Sequence, residues 1–273
     1  MLSRVLTLAA GLIGLATWGG CDGCSGGGFD AGGPDVGSAA GGFSLRWTVV
    51  DQTSSQQVNC DQLDPNATVF VQAMRDGTGA VESFACRNLQ GTSVMPLAPG
   101  TYSFRYELHV AGNAIATASG PTGVAIAAGQ QIELAPITFQ VDATGSLELM
   151  LRAGSSGNCQ VGGAGITGFA LSLQHAGGPG DTGCAPVVFT LSGGGTYNAN
   201  DCSAPAGTRC IAETETVTVA SLPSGIYQIH VRGRKNGTVD CWINDDVLRV
   251  PPQSQRLRQT LNLALLSETP GCQ

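Results

Sequence analysis

Leu97-Ala98-Pro99-Gly100-Thr101-Tyr102-Ser103-Phe104-Arg105-Tyr106-Glu107-Leu108 has a counterpart in Leu222-Pro223-Ser224-Gly225-Ile226-Tyr227-Gln228-Ile229-His230-Val231. Both read Leu, a Pro-containing turn, Gly, one residue, Tyr, and then alternating apolar residues. Gly supplies a positive φ at such a turn without the steric cost a Cβ brings. The alternation is that of a half-buried strand. It puts Tyr102, Phe104, Tyr106 and Leu108 on the inward face of one copy, and Tyr227, Ile229 and Val231 on that of the other.

The flanks correspond as well. Upstream, Gly42-Phe43-Ser44-Leu45 parallels Gly145-Ser146-Leu147-Glu148-Leu149. Downstream, Gly129-Gln130-Gln131-Ile132-Glu133-Leu134 parallels Gln253-Ser254-Gln255-Arg256-Leu257-Arg258-Gln259-Thr260-Leu261, each a candidate last strand. Phe43 to Val49 alternates apolar and polar, and Thr68 to Met74 sets Val69, Val71 and Ala73 on one face. Gly and Pro interrupt the chain too often for long helices. A unit of about 100 residues and seven or so strands suits a β-sandwich. The expected fold is therefore all-β: two tandem β-sandwich domains, 43–142 and 143–273, the second with a disulfide-bearing insertion.

The turn from Leu97 to Tyr102 and that from Leu222 to Tyr227 resemble those of the carboxypeptidase regulatory-like, or transthyretin-like, sandwiches of exported bacterial proteins. The resemblance covers one turn and one strand per half and implies a Greek-key fold. An immunoglobulin-like sandwich of other topology is the alternative. A shared fold carries no function with it.

The N-terminal segment points to export. Arg4 precedes an apolar run from Val5 to Trp18, too short to span a bilayer comfortably, and Gly19-Gly20-Cys21 follows. Residues 1–20 resemble a bacterial lipoprotein signal, with Trp18 where that family usually has Leu, Val or Ile. The resemblance implies a lipid on Cys21, a bilayer as partner, and a cell-envelope location on the periplasmic face or the cell surface. Residues 21–42 then form a Gly-rich tether that cannot bury enough apolar surface to order itself.

The ten cysteines fit an oxidising compartment. With Cys21 lipidated and Cys24 in the tether, eight remain: Cys60, Cys86, Cys159, Cys184, Cys202, Cys210, Cys241 and Cys272. Four disulfides follow, with 105 connectivities open. Cys60 to Cys86 spans 26 positions and Cys159 to Cys184 spans 25, so these are expected as equivalent bonds. Cys202–Cys210 would close a loop in the insertion, and Cys241–Cys272 is left by elimination.

Little else in the sequence points to chemistry. A net charge of −7 argues against a nucleic-acid binder, which would show a basic stripe. His109 and His230 alternate onto the outer face of their strands, and His175 precedes a Gly-rich loop. No Gly-x-Ser-x-Gly elbow or P-loop occurs, and the cysteines lack zinc spacing. Neither a catalytic residue nor a cofactor is expected. Asp61, Asp64 and Asn66, and Asp240, Asn244, Asp245 and Asp246, are the loop clusters a calcium ion would use, without the EF-hand pattern. Trp242 beside Cys241 is the candidate ligand-binding residue if exposed, and a core residue otherwise. The expectation is a non-catalytic envelope lipoprotein with a structural, adhesion or interaction role. Its partners would be an envelope protein or polysaccharide. The alternative is a carbohydrate- or peptide-binding module.

Overall fold

The computed structural model describes residues 40–176, 183–202 and 207–272. The signal segment, Cys21, Cys24 and most of the tether lie outside them. The first half contains β1 (Gly42–Asp51), a one-turn helix α1 (Cys60–Leu63), β2 (Thr68–Arg75), β3 (Thr78–Ala85), β4 (Gln90–Thr92), β5 (Gly100–Val110), β6 (Asn113–Ser119), β7 (Val124–Ile126), β8 (Gln131–Glu133) and β9 (Ile137–Val141). The second contains β10 (Thr144–Ala153), β11 (Gly168–His175), β12 (Val187–Leu191), β13 (Thr196–Ala199), β14 (Thr208–Arg209), β15 (Thr216–Pro223), β16 (Gly225–Lys235), β17 (Val239–Val250) and β18 (Gln255–Leu265). Among the described residues no helix is long and apolar enough to cross a membrane.

The protein is all-β, two sandwiches in tandem, each around its own core. Alternation built these cores. In β1 the residues Phe43, Leu45, Trp47 and Val49 are buried, and in β5 Tyr102, Phe104, Tyr106 and Leu108 are. In β16 they are Tyr227, Ile229 and Val231. The first core holds buried residues from 43 to 141 and the second from 147 to 263.

The first sandwich sets β4-β1-β8, with β9 also on β1, against β3-β2-β5-β6, with β7 also on β5. The second forms one continuous sheet, β13-β12-β15-β10-β18-β17-β16-β11-β14. Its two faces join where Trp242 and Ile243 of β17 pair with Leu265 and Ala264 of β18. In both sandwiches the first strand pairs in parallel with the last: β1 with β8 and β9, and β10 with β18.

The repeated turn does the same work twice. The Tyr102 hydroxyl donates to the Ala98 carbonyl at 2.7 Å, and the Tyr227 hydroxyl to the Pro223 carbonyl at 2.8 Å. Each buried phenol thus finds an acceptor four residues upstream, the device known as a tyrosine corner in immunoglobulin-type sandwiches.

The disulfides are Cys60–Cys86, Cys159–Cys210, Cys184–Cys202 and Cys241–Cys272. Two of these differ from the expected pairs Cys159–Cys184 and Cys202–Cys210, and the reason is topological. In the first sandwich β3 folds back on β2, pairing Ala85 with Thr68, so the next residue, Cys86, arrives at Cys60. In the second, the third strand β12 crosses to β15 instead. The place beside β11 is taken by β14, which pairs Arg209 with Gly168, so the next residue, Cys210, meets Cys159. The bond equivalent to Cys60–Cys86 exists, but its second cysteine lies beyond the insertion. Cys184, left free by this, bridges Gln174 at the end of β11 and clasps Cys202.

Candidate functional site

The histidines come first, because a His beside an acid would revive catalysis. His230 Nδ1 lies 2.6 Å from Asp245 Oδ1, and Arg232 binds the same carboxylate at 2.7 and 3.2 Å. Burial alone would raise the Asp245 carboxyl, but the hydrogen bonds from Arg232 and His230 outweigh it and hold it below the usual carboxylate range. Ser172 is the cross-strand neighbour of His230, so Ser, His and Asp stand in a row across β11, β16 and β17. A nucleophile must reach both its base and a substrate. The Ser172 hydroxyl does neither: it is buried and makes no hydrogen bond among the described residues. The row is an ion-pair cluster on a sheet. His109 is likewise tied to Glu107 at 2.9 Å and lies 4.4 Å from the Phe70 ring. His175 packs 4.8 Å from the Tyr227 ring. The histidines at 109 and 230 are thus on the outer face but half-buried by neighbours, less open than alternation alone predicts.

Several candidate cation ligands have protein partners, while Asp61 Oδ1 and Asn244 Oδ1 are buried without one among the described residues. Asp64 accepts from the Asn66 amide at 2.7 Å, Asp240 from Arg234 at 2.7 Å, and Asp246 from Asn244 at 2.9 Å. Among the described residues no three His, Cys, Asp or Glu converge as metal ligands. Trp242 is half-buried against the second core, and its indole N–H donates to the Ala164 carbonyl at 3.2 Å. It packs as a core residue and offers no open aromatic platform.

Sequence reasoning missed the junction of the two sandwiches. Ala143 carries the chain from β9 into β10, and both sides hold it. The Ala143 amide donates to Asp51 at 3.1 Å, while Ser54 donates to the same carboxylate through its hydroxyl at 2.7 Å and its amide at 2.8 Å. Asp142 accepts from the Thr144 and Ser254 hydroxyls, each at 2.6 Å. Its carbonyl accepts from the Gln253 amide. The Ser54 hydroxyl, then the Ala143 amide, hold the Asp51 carboxyl below its ordinary range. Burial works against Asp142, yet the hydroxyls of Ser254 and Thr144 lower its carboxyl too.

Beside this junction opens a cleft of about 350 Å³. Its walls include Leu63, Val110 and Ile115 from the first sandwich and Arg249, Pro251 and Leu257 from the second. Three pieces position them. The end of α1, which lies against β16, brings Leu63. The β5–β6 hairpin turns tightly because Ala111 and Gly112 both take positive φ, and it brings Val110 and Ile115. The turn from β17 to β18 is the one that Asp142 grips. Of the guanidiniums on the cleft, Arg256 is paired with Glu148 at 2.7 Å. Arg249 has a different standing: its Nη1 is shielded from solvent and has no hydrogen-bond partner among the described residues. A 350 Å³ concavity at a domain boundary, lined by apolar side chains together with Asp64, Asn113, Arg249, Gln255 and Arg256, has the character of a small-molecule site. No residue spacing announced it, because its walls lie nearly two hundred positions apart.

No protein-family model matches the sequence, and no curated protein matches it. Solved structures do. The GBS52 minor pilin of Streptococcus agalactiae is 10% identical, over 85% of this chain and 100% of that one, with a TM-score of 0.25. The fimbrial anchor protein Mfa2 of Porphyromonas gingivalis is 10% identical, over 76% and 82%, with a TM-score of 0.28. A leucine-rich repeat protein of Bacteroides thetaiotaomicron is 12% identical, with a TM-score of 0.27. This chain spans 26% of that protein's length. Scores this low carry no argument about activity or partners, and the β-sandwich assignment rests on the strands and registers described above.

Proposed function

We propose that this protein is a non-catalytic, lipid-anchored component of a bacterial cell envelope, with an adhesion or interaction role. One observation carries the reading. The described residues spend their polar chemistry on holding two sandwiches rigid: four disulfides, a hydrogen-bonded junction, and cross-strand ion pairs that satisfy the His–acid cluster internally. The Gly-rich stretch and the lipoprotein-like signal in the sequence support a location at a membrane surface.

The test is the intact mass of the protein from its native membrane fraction, with thiols labelled after denaturation. The expected species begins at Cys21, carries a diacylglyceryl group, and takes label at no cysteine other than Cys24. An unlipidated mass with several labelled thiols among the eight body cysteines would sink the envelope reading.

A second reading is a binding module, and the junction cleft is what favours it. Trp242 and its neighbours would not be its platform, since that indole is turned to the core. Soaking the protein with small ligands and following the Ile115 and Leu257 methyl resonances tests it.

A further inference from the structure

The burial pattern of β15 breaks step once. Val217 and Val219 alternate inward, then Ala220 and Ser221 are both exposed before Leu222 is buried again. The register gives the reason. Gly145 of β10 pairs with Leu222 and Leu147 with Val219, so Ser146 alone stands opposite two residues. Ala220 and Ser221 are therefore a β-bulge, a device that bends its strand and ends pairing beside it.

The strand on the other side of β15 is β12. Their ladder joins Leu191 to Val217 and Thr190 to Thr218, and stops there. Continued, it would bring Phe189 to Val219 and Val188 to Ala220, and neither pair forms. Backbone direction alternates along a strand. The Ser192 amide donates to the Thr216 carbonyl across this ladder, so Ser192, Thr190 and Val188 all turn their backbone groups toward β15. At Val188 no strand among the described residues meets them.

Between the two strands opens a notch of about 470 Å³. Val187, Val188 and Leu222 line it, and His175, Ser221 and Tyr227 bring its polar side chains. Among the described residues no carboxylate, ammonium or guanidinium lines it. Val188 is 51% exposed, and Ala220 and Ser221 are exposed too, so the notch is within reach of solvent and of a ligand.

We propose that this notch takes an extended, uncharged peptide segment of a partner protein as an added strand beside Val188 of β12. A free strand edge is satisfied by another strand, and the side chains around it select the sequence. A strand laid there turns alternate side chains inward, onto the buried Val187 and Leu222. Those positions take apolar residues, because a charge there would lose its water without meeting a counter-charge. The inference rests on the interaction role proposed above and gives that role a surface. The lipid is read by mass and the notch by peptide binding, so either fails without the other.

The probe is an acetylated, amidated pentapeptide of alternating threonine and valine, titrated into the full chain with backbone amide resonances as the readout. The expected result is saturable shifts concentrated at Val187 to Phe189 and at Val219 to Leu222. The same peptide with aspartate for valine, and the same peptide N-methylated along its backbone, should each bind about tenfold more weakly. Val188→Pro removes an N–H that faces the notch, leaves the β13 side of the strand paired, and should weaken the probe about fivefold. Ala220→Trp fills the notch from the exposed bulge and should abolish binding even where the proline variant folds poorly. Equal binding of the N-methylated peptide would overturn strand addition, and equal binding of the aspartate peptide would overturn the apolar requirement. Shifts elsewhere on the molecule, or none, would overturn the site.

Discussion

The two sandwiches share a plan and differ in where the third strand goes. Each opens on a strand that pairs in parallel with its last, each turns through a tyrosine corner, and each ties its first connection to the strand beside its second. In the first sandwich β3 stays beside β2, and among the described residues no strand ladder joins the two sheets, which meet only in the isolated bridge of Gly41 with Leu97. In the second, β12 crosses to β15, and β17 with β18 closes the sheets into one. The shared disulfide survives this change because it follows spatial position. The same is true of the Asn-Cys pair that begins it, Asn59-Cys60 and Asn158-Cys159. Asn59 caps the one-turn helix α1. Asn158 is fully buried, donating to the Leu151 and Ile211 carbonyls and accepting from the Ala153 amide.

The largest effect falls on the disulfides. Replacing Cys159 and Cys210 together by Ser should cost about 4 kcal/mol from loop entropy, and the same change at Cys60 and Cys86 about 3.5 kcal/mol. Cys184 with Cys202 closes only 18 positions and should cost about 3 kcal/mol. Denaturant unfolding ranks the three. If the Cys184 and Cys202 change proved the most costly, the equivalence of the other two bonds would be broken.

The Asn-Cys pair sharpens the comparison further. Asn158→Ala strands three buried backbone groups and should lose about 3 kcal/mol. Asn59→Ala removes an exposed cap and should lose about 1 kcal/mol. Chemical denaturation of the two variants reads the difference directly. Equal losses would mean that the buried network around Asn158 contributes no more than a helix cap.

Tyrosine variants give a sign test within one strand. Tyr102→Phe and Tyr227→Phe each remove a corner hydrogen bond, for a loss of about 1 kcal/mol. Tyr106 is fully buried, and burial pushes its hydroxyl up to about 12. That hydroxyl has no partner among the described residues. Tyr106→Phe should therefore raise stability by about 1 kcal/mol. A loss on Tyr106→Phe would reveal an acceptor there.

The junction carboxylates stabilise the fold at neutral pH, and acid removes that contribution. Asp51 and Asp142 titrate lower folded than unfolded, so their stabilisation is present above the unfolded carboxylate value near ~4. It is lost as pH falls through the folded values. Asp51→Asn should therefore flatten the acid limb of a melting-temperature profile. An unchanged limb would remove Asp51 from the account of acid lability.

Much of this architecture is legible in residues. The Leu-to-Tyr turns announced two units, and alternation named the buried faces of β1, β2, β5 and β16 correctly. The first strands corresponded as expected, and β8 within the expected last segment does pair with β1, but the last strand of the first half is β9, Ile137–Val141, beyond that segment; the parallel pairing cannot be read from a single strand's pattern. Disulfide partners were misread at Cys159 because spacing along the chain counts an insertion that space ignores. The seven or so strands expected per unit become nine in each half, short strands such as β7, β8 and β14 being too brief for alternation to register. The site was hidden for a related reason. Arg249 sits in an ordinary strand pattern, and its lack of a partner appears only once the register with β16 and the placement of α1 are known.

The parallel pairing of first and last strands has a mechanical consequence. Tension along the chain pulls such strands in opposite directions along their length. It shears the ladder and loads its hydrogen bonds together, where an antiparallel hairpin would unzip them one by one. In the second sandwich that ladder runs from Gly145 and Gln255 to Ala153 and Leu263. Beyond it the Cys241–Cys272 bond carries the chain sideways onto β17. A pull applied past Cys272 therefore enters the middle of the continuous sheet through a covalent link and bypasses the end of β18. Reduction of that single bond would return the point of force to β18 without altering a strand.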